Sequence, residues 1–310
     1  MRTTPIVAMC LLWATSEAQQ LPQLSQYRSN DYLYIPAVAG SRPLFEMRSA
    51  HRNQWVGITD APRTFMLGVT TPVGAKMGIG GSVFTDNVGP TRRTGFQLTY
   101  AYHLRLTKEL KFSLSLSGGM LQYLVDGSKI TFNDPNETAI DGQLRDDLVP
   151  DMTFSLLLYH PRYWFGFTAP QLLRNKLYFF DDRDGTMNTL ERHYFATAGY
   201  KFMLGEQFAL EPSVLVKYVD PVPPKLDANL TLRYKEFLWL GAGWRSNDAI
   251  PITVGFWLKR MFQFGYSYDI TTTGLSQYAG GTHEVMLAVT FDKRPRPRGS
   301  SVPEAAAPVE

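Results

Sequence analysis

Cysteine is almost absent from this sequence of 310 residues, and the only one, Cys10, lies near the N-terminus. It falls within the apolar stretch Ile6 to Ala14, which follows the positive Arg2 and precedes the small-x-small site Ser16-Glu17-Ala18. This order is typical of a secretory signal peptide, and we predict one over residues 1–18. Cleavage at that site leaves a mature chain without disulfides or thiol chemistry.

Long apolar runs are also missing. No stretch approaches the roughly 18 uninterrupted apolar residues that a membrane helix needs, so this chain would cross a bilayer only with strands. The 31 basic and 28 acidic side chains nearly balance. This small net charge gives no indication of nucleic-acid binding.

Residues in arrangements typical of catalytic or metal-binding sites are sparse. The five histidines are scattered, and none stands at metal-ligand spacing from a second histidine or a cysteine. We therefore predict no catalytic residue, no cofactor and no metal site. Two alternatives remain open. One is a hydrolase site built on His103, which we place on the polar side of a strand; the other is calcium binding by Asp181 to Gly185, which lacks the full ligand pattern of a calcium loop.

What the sequence does have is alternation. Between Thr94 and Leu106, Leu98 and Tyr100 fall on one face and Gln97 and Thr99 on the other. Because successive side chains of a strand point to opposite faces, this stretch predicts a strand with one apolar and one polar face. The same pattern recurs along nearly the whole chain. Long strands with aromatic residues outward and polar residues inward are typical of a transmembrane β-barrel.

The connections between strands alternate between long and short from Leu44 onward. Outer-membrane barrels have this pattern because their outside loops are extended and their periplasmic turns are tight. The long connections are predicted at Gln54 to Pro62, Thr85 to Thr94, Asp126 to Val149, Pro170 to Glu191, Tyr218 to Lys225, Ser246 to Pro251 and Thr271 to Thr282. We count about fourteen strands, an even number that leaves both termini in the periplasm. A soluble seven-bladed propeller is the alternative, but it does not predict alternating loop lengths.

The predicted fold class is therefore all-β, an antiparallel transmembrane barrel of about 14 strands over residues 44–291. Residues 19–43 show no clear period, and we leave two placements open for them, a plug inside the lumen or a periplasmic segment. Residues 292–310 open with a basic run and close on proline and alanine. Such a composition cannot bury a core, so we predict a disordered tail.

One set of motifs resembles a known family. It consists of Gln26-Tyr27, Pro36 to Ser41, RNQWVGI from Arg52 to Ile58, Ala61-Pro62, Thr71-Pro72, Gly78-Ile79-Gly80, and DNVGP from Asp86 to Pro90. In residue type and spacing these motifs resemble the PorP/SprF family of type IX secretion system outer-membrane proteins over residues 24–102. One departure is Ile35, where the family usually has an asparagine before the proline.

The resemblance implies a non-enzymatic barrel in the lipid of the cell outer membrane that scaffolds the secretion or gliding machinery, or assists export of a partner. The implied partners are machinery proteins in the periplasm or a large secreted surface adhesin. As candidate partner contacts we take Arg52, Asn53, Gln54, Trp55, Gly57, Asp86, Gly89, Pro90, Arg294 and Arg296. The alternative function is a diffusion porin, whose open lumen would be lined by the inward charges Arg105, Lys111, Asp227 and Arg233.

Two of the motifs also have a purely structural interpretation. Trp55 suits an anchor in the aromatic belt at the membrane surface as well as an exposed contact. Gly78, Gly80 and Gly81 permit the close approach of backbone or of a plug, but bends of the barrel wall are the interpretation that we favour.

Overall fold

The computed structural model describes residues 21–130, 143–177, 188–235, 237–259 and 261–292. Within them the chain forms seventeen strands. In chain order these are β1 Leu44–Asn53, β2 Arg63–Val73, β3 Met77–Val88, β4 Thr91–Arg105, β5 Lys111–Asp126, β6 Leu144–Tyr159, β7 Tyr163–Ala169, β8 Lys176–Leu177, β9 Asn188–Thr189, β10 His193–Tyr200, β11 Phe202–Leu204, β12 Phe208–Val219, β13 Val222–Tyr234, β14 Leu238–Arg245, β15 Ala249–Leu258, β16 Phe262–Thr271 and β17 Thr282–Asp292. In the same residues no helix combines the length and apolarity needed to cross a membrane.

The strands close into one antiparallel barrel. β17 pairs with β1 from Leu44↔Asp292 to Asn53↔His283, and β10 pairs with both β7 and β12. β8 and β9 form a separate two-stranded sheet, and β11 continues β10 along the edge of β12. With β10 and β11 counted as one strand, the barrel has 14 strands, which confirms the predicted fold class.

The two faces of the wall follow the predicted alternation. On β4, Leu98 is 59% exposed on the outside, whereas its neighbour Thr99 is only 5% exposed and faces the lumen. On β16, Phe264 and Tyr266 are exposed while Ser267 is buried inside. Apolar side chains thus cover the outer surface because that face meets lipid, and polar side chains fill the interior.

The two ends of the barrel differ. We call the end that carries residues 54–62, 127–130, 170–177 and 272–281 the long-loop end, and the opposite end, where β1 begins and β17 ends, the short-turn end. Three connections that we predicted to be long, at Thr85 to Thr94, Tyr218 to Lys225 and Ser246 to Pro251, are instead tight turns. The predictions are wrong because the strands continue further, pairing as far as Val88↔Thr91, Val219↔Val222 and Arg245↔Ala249.

Residues 21–43, which we call the inner segment, run through the lumen. It contains a helical turn at Asp31–Tyr34 and a 3-10 turn at Pro36–Val38. Gln23 donates a hydrogen bond to Asp248 at the long-loop end (3.1 Å), whereas the carbonyl of Ala39 accepts one from His103 near the short-turn end (2.8 Å). The described chain therefore starts at the long-loop end and enters β1 from the other end.

This path corrects the expectation that both chain ends lie on one side of the barrel. The first strand does begin, and the last strand does end, at the short-turn end. The inner segment carries the described N-terminal residues back through the lumen to the opposite end.

The largest buried apolar cluster lies inside the barrel rather than between separate layers. The inner segment contributes Leu24, Tyr27, Tyr34, Ile35, Ala37 and Val38, and the wall contributes Ala50, Met66, Leu157, Phe195 and Leu215. Burial of these side chains against one another stabilises the inner segment in the lumen through the hydrophobic effect. The lumen is consequently filled along much of its length.

Candidate functional site

Four charged side chains hold the inner segment at the long-loop end. Arg52 on β1, Arg245 on β14, Asp269 on β16 and Glu284 on β17 all occupy inward positions and are almost completely buried. We call these four residues the polar clamp. Asp269 receives hydrogen bonds from Arg52 at 2.8 Å and from Arg245 at 3.0 Å, and Glu284 receives one from Arg52 at 3.1 Å.

The polar clamp binds the backbone and one side chain of the inner segment. The carboxylate of Glu284 accepts hydrogen bonds from the backbone N–H groups of Ser25 (2.7 Å) and Gln26 (2.9 Å). The Ser25 hydroxyl donates to Asp269 and accepts from Arg52 and Arg245. Two guanidinium groups face two carboxylates within the clamp, and their hydrogen bonds are charge-assisted. Arg245 also pairs with Asp227 at 3.3 Å and with Asp248 at 3.1 Å.

Hydroxyl groups fasten the middle of the inner segment to the wall. Tyr27 and Ser213 share a hydrogen bond of 2.9 Å between their hydroxyl oxygens, as do Tyr32 and Thr99. Each of these pairs buries polar atoms that would otherwise lack a partner. At these two positions the inward hydroxyl groups of the wall are thus bound by the inner segment.

His103 has a structural role in this arrangement. Its Nε2 donates to the Ala39 carbonyl, and its Nδ1 accepts from the Tyr159 hydroxyl at 3.0 Å. Both ring nitrogens are therefore engaged by partners that are neither a serine nor a carboxylate. The hydrolase alternative would need a nucleophile and an orienting acid at these positions.

Close backbone contact fits the inner segment to β3 near the short-turn end. A Cβ atom added at Gly78 would lie 2.0 Å from the Ala39 carbonyl oxygen, and one at Gly80 would lie 2.6 Å from the Tyr32 hydroxyl oxygen. Gly81 points outward, where an added Cβ would meet Leu98 at an ordinary 3.5 Å. Our interpretation of Gly78 and Gly80 as bends in the wall is therefore wrong, since the absence of a side chain there admits the inner segment.

A second charged network lies beside the inner segment at the short-turn end. Arg42 pairs with Asp31 and, at 2.8 Å, with Glu46; Glu46 also receives a hydrogen bond from Arg48 at 2.9 Å. Burial opposes the charge of Arg42, but Asp31 and Glu46 outweigh burial and raise the pKa of its guanidinium above the ordinary value. Arg28 pairs with Asp31 at 3.1 Å.

The loops of the long-loop end are tied together through their backbones. Val56 N–H donates to the Gly281 carbonyl (2.9 Å), and Gly280 N–H donates to the Val56 carbonyl (2.6 Å). Gly89 N–H donates to the Asp60 carbonyl at 3.0 Å. We call residues 54–62, 89–90 and 272–281 together the loop platform. It exposes three large apolar side chains, Val56, Leu275 and Tyr278, of which Tyr278 is 74% exposed.

The candidate partner residues separate into three groups in the structure. Arg52 (1% exposed) and Asp86 (4% exposed) point inward, Arg52 into the polar clamp and Asp86 toward Thr64 and Arg93, so neither presents its side chain to a partner. The loop platform brings together Gln54, Trp55 and Gly57 with Gly89 and Pro90, next to Asn53 at the end of β1. Arg294 and Arg296 lie outside the described residues.

Trp55 is half-buried at the base of the loop platform, where its backbone N–H donates to the Thr282 hydroxyl at 3.1 Å. Sequence reasoning missed Tyr278 and Leu275 as surface residues of the same platform. The adjacent Gly280-Gly281 was a signal for a turn, but its contact with Val56 joins loops that are more than 200 positions apart.

Two of the four charges expected to line a porin eyelet form ion pairs, and Arg105 is exposed at the end of β4. Asp227 receives a hydrogen bond from Lys217 at 3.0 Å, and Arg233 pairs with Glu211 at 3.0 Å. Lys111 lies over the ring of Tyr159. Among the described residues no group of three or more His, Cys, Asp or Glu side chains is placed to hold a metal ion, and Asp181 to Gly185 lie outside them.

Comparison with known proteins adds two findings. A family model described as type IX secretion system membrane protein PorP/SprF matches residues 16–289. Among solved structures, the Ralstonia pickettii toluene transporter TbuX aligns with a TM-score of 0.51 at 7% identity, covering 83% of this chain and 92% of that chain. A Pseudomonas aeruginosa FadL homologue aligns with a TM-score of 0.47 at 10% identity, covering 81% and 90%. The similarity to TbuX concerns the barrel fold alone. No curated protein sequence matches the chain.

Proposed function

Since the chain belongs to the PorP/SprF family of type IX secretion system membrane proteins, we propose that this outer-membrane barrel is a non-enzymatic interaction protein of that system. It scaffolds the secretion or gliding machinery, or anchors a partner surface protein during export. The short-turn end then faces the periplasm and the long-loop end faces the outside, as in other outer-membrane barrels. A signal peptide over residues 1–18 is part of this proposal.

The filled lumen is the observation that carries the proposal. The inner segment occupies the interior with a buried apolar cluster and is fastened by the polar clamp. A diffusion porin instead needs an open lumen in which inward charges face one another across water. A barrel with a filled lumen is suited to binding partners at its two ends rather than to conducting solutes through a pore.

The loop platform supports a partner on the outside. Its backbone hydrogen bonds hold three segments in one arrangement before a partner arrives, which lowers the entropy that binding must remove. Tyr278 supplies a large amphipathic side chain of the kind that dominates binding energy in protein interfaces. At the other end, the basic run with Arg294 and Arg296 stays a proposed contact for periplasmic machinery.

The test replaces the exposed side chains of the loop platform and follows export. Cells carrying Tyr278→Ala together with Val56→Ser are expected to keep normal amounts of heat-resistant folded barrel, because neither side chain is buried. Surface display of secreted adhesins and their co-purification with the barrel are expected to fall at least about tenfold, a loss typical of an aromatic interface anchor.

Tyr278→Phe serves as the matched control, because it keeps the ring and removes only the hydroxyl. Unchanged display and co-purification in the double variant would contradict an outer partner surface. The porin alternative is tested with the purified full chain in a planar bilayer, where a steady open conductance would contradict the proposal.

A further inference from the structure

A cavity of about 300 Å³ lies beside the inner segment at the short-turn end. It is enclosed between the inner segment and strands β6, β7, β10 and β12. Its deeper part is lined by apolar and aromatic side chains, including Tyr34, Leu157 and Leu215, all of them buried. This volume is at the lower end of the roughly 300–1,000 Å³ that is usual for ligand pockets.

The rim of this cavity is cationic. Arg28, Arg42 and Lys201 lie there, and Arg28 stacks over the Trp164 ring at 4.1 Å. His160 also lies at the rim, but its Nε2 pairs with Glu109 at 2.8 Å. Two carboxylates also line the cavity, but Asp31 is paired with Arg28 and Arg42, and Glu211 is paired with Arg233.

Arg42 also pairs with Glu46, but Glu46 is shared with Arg48. The cations at the rim are still in excess, because each carboxylate near them is shared between two cations or paired elsewhere. Lys201 forms no ion pair with any carboxylate of the described residues, and the buried Nε of Arg28 has no hydrogen-bond partner among them. A carboxylate that enters at the rim would gain charge-assisted hydrogen bonds without displacing an existing pair.

We propose that the cavity is a binding site for a protein segment that places an aromatic or large aliphatic side chain in the apolar depth and a neighbouring Asp or Glu at the cationic rim. The proposal rests on the proposed function, because that function turns the short-turn end toward the periplasm. The partner is accordingly a periplasmic protein with an exposed acidic and apolar segment.

A lipid is the less suitable occupant because of where the cavity lies. Leu157, Thr197 and Leu215 line it from the lumen side of their strands, and the inner segment closes the opposite side. An acyl chain in the bilayer meets only the outer face of the wall. Entry is from the mouth, where Pro161 and Lys201 are at least partly exposed.

The experiment titrates short peptides into the purified full chain in detergent and follows the fluorescence of Trp164, with a Trp164→Phe variant to identify its signal. The probe is acetyl-Asp-Phe-Asp-amide, and the comparison peptides are acetyl-Lys-Phe-Lys-amide and acetyl-Asp-Ala-Asp-amide. We expect the probe to bind at least about tenfold more tightly than either comparison peptide, since each lacks one of the two contacts.

Lys201→Glu is expected to weaken binding of the probe at least about tenfold, because it replaces an attractive charge by a repulsive one. Lys108→Glu, on an exposed turn at the same end but not at the cavity, is the matched control and should leave affinity within about twofold. Absence of saturable binding, equal binding of the Lys peptide, or an unaffected Lys201→Glu variant would overturn the inference.

Glycerol phosphate is added as a competitor to test whether a small anion that is not a peptide binds at the same site. Displacement of the probe at equal concentration would show a site for small anions and would also overturn the inference. Because these measurements use the purified barrel and Tyr278→Ala is scored by export in cells, failure of this site and failure of the proposed function give different results.

Discussion

At the long-loop end the inner segment is held by buried charges, whereas near the short-turn end a close fit of its backbone against β3 accompanies the charged contacts of Arg42 with Asp31 and Glu46. The polar clamp binds Ser25 and Gln26 through carboxylates and guanidinium groups from four strands. Near the other end, Ala39 lies against Gly78 at a distance that leaves no room for a side chain.

The difference shows two ways of fastening one segment inside one barrel. A buried ionic network requires that every charge keep its partner, since removal of one group leaves another uncompensated. A close backbone fit requires only that a side chain be absent. At the short-turn end the close fit stands beside the ion pairs of Arg42 with Asp31 and Glu46, and a cavity remains next to the segment.

The direction of the inner segment gives the prediction with the largest expected effect, an all-or-none difference in labelling. In a chain with Cys10 replaced by serine, a cysteine at the partly exposed Pro22 should react with a membrane-impermeant maleimide on intact cells, because the adjacent Gln23 lies at the long-loop end. A cysteine at Ser41, which precedes β1, should react only after the outer membrane is permeabilised. Tyr278→Cys and Glu206→Cys are the positive and negative controls. The opposite labelling pattern would mean that the segment or the barrel is oriented the other way.

Removal of one charge from the polar clamp should be the most destabilising substitution. Glu284→Ala leaves Arg52 with one carboxylate fewer and two backbone N–H groups without an acceptor. We expect a loss of about 3–5 kcal/mol in the free energy of unfolding. It is measured by urea unfolding in lipid vesicles, with exposed Glu206→Ala as the control, expected within about 0.5 kcal/mol. Equal stability of the two variants would show that the clamp does not hold the segment.

Addition of one methyl group should disturb the backbone fit at the other end. Gly78→Ala places its Cβ against the Ala39 carbonyl, and we expect a loss of about 1–3 kcal/mol in the same assay. Gly81→Ala adds the same atom on the outer face of the same strand and should be close to neutral. If both alanines were tolerated alike, the inner segment would not pack against β3 as described.

The smallest expected effect concerns the hydroxyl contacts between the two ends. Tyr32→Phe removes the hydrogen bond to Thr99 while the ring keeps its packing, and we expect a loss of about 1 kcal/mol. Tyr100→Phe alters the outward face of the same region and is expected to have no measurable effect. A larger effect for Tyr100 than for Tyr32 would contradict the assignment of the inward and outward faces.

Local alternation was sufficient to predict the barrel and the register of its faces. The neighbours Leu98 and Thr99 differ in polarity, and because a strand turns successive side chains to opposite sides, that difference alone indicates which one meets lipid. The set of motifs over residues 24–102 predicted the family, and the family model confirms it. Strand ends were less predictable, since polar residues such as Arg92 at the ends of β3 and β4 have the composition of a loop but pair as a strand.

The placement of the inner segment and the role of Arg52 depended on the closed barrel. From the sequence, Arg52 is one more polar residue in a recognition motif, and Gly78 is one more glycine in a strand. Arg52 meets Asp269 and Glu284, which are 217 and 232 positions away along the chain, only because β17 returns to pair with β1. The alternation of one strand is a local property and is visible in consecutive residues of the sequence. The contacts of the inner segment in the lumen instead depend on side chains that distant strands bring together when the barrel closes.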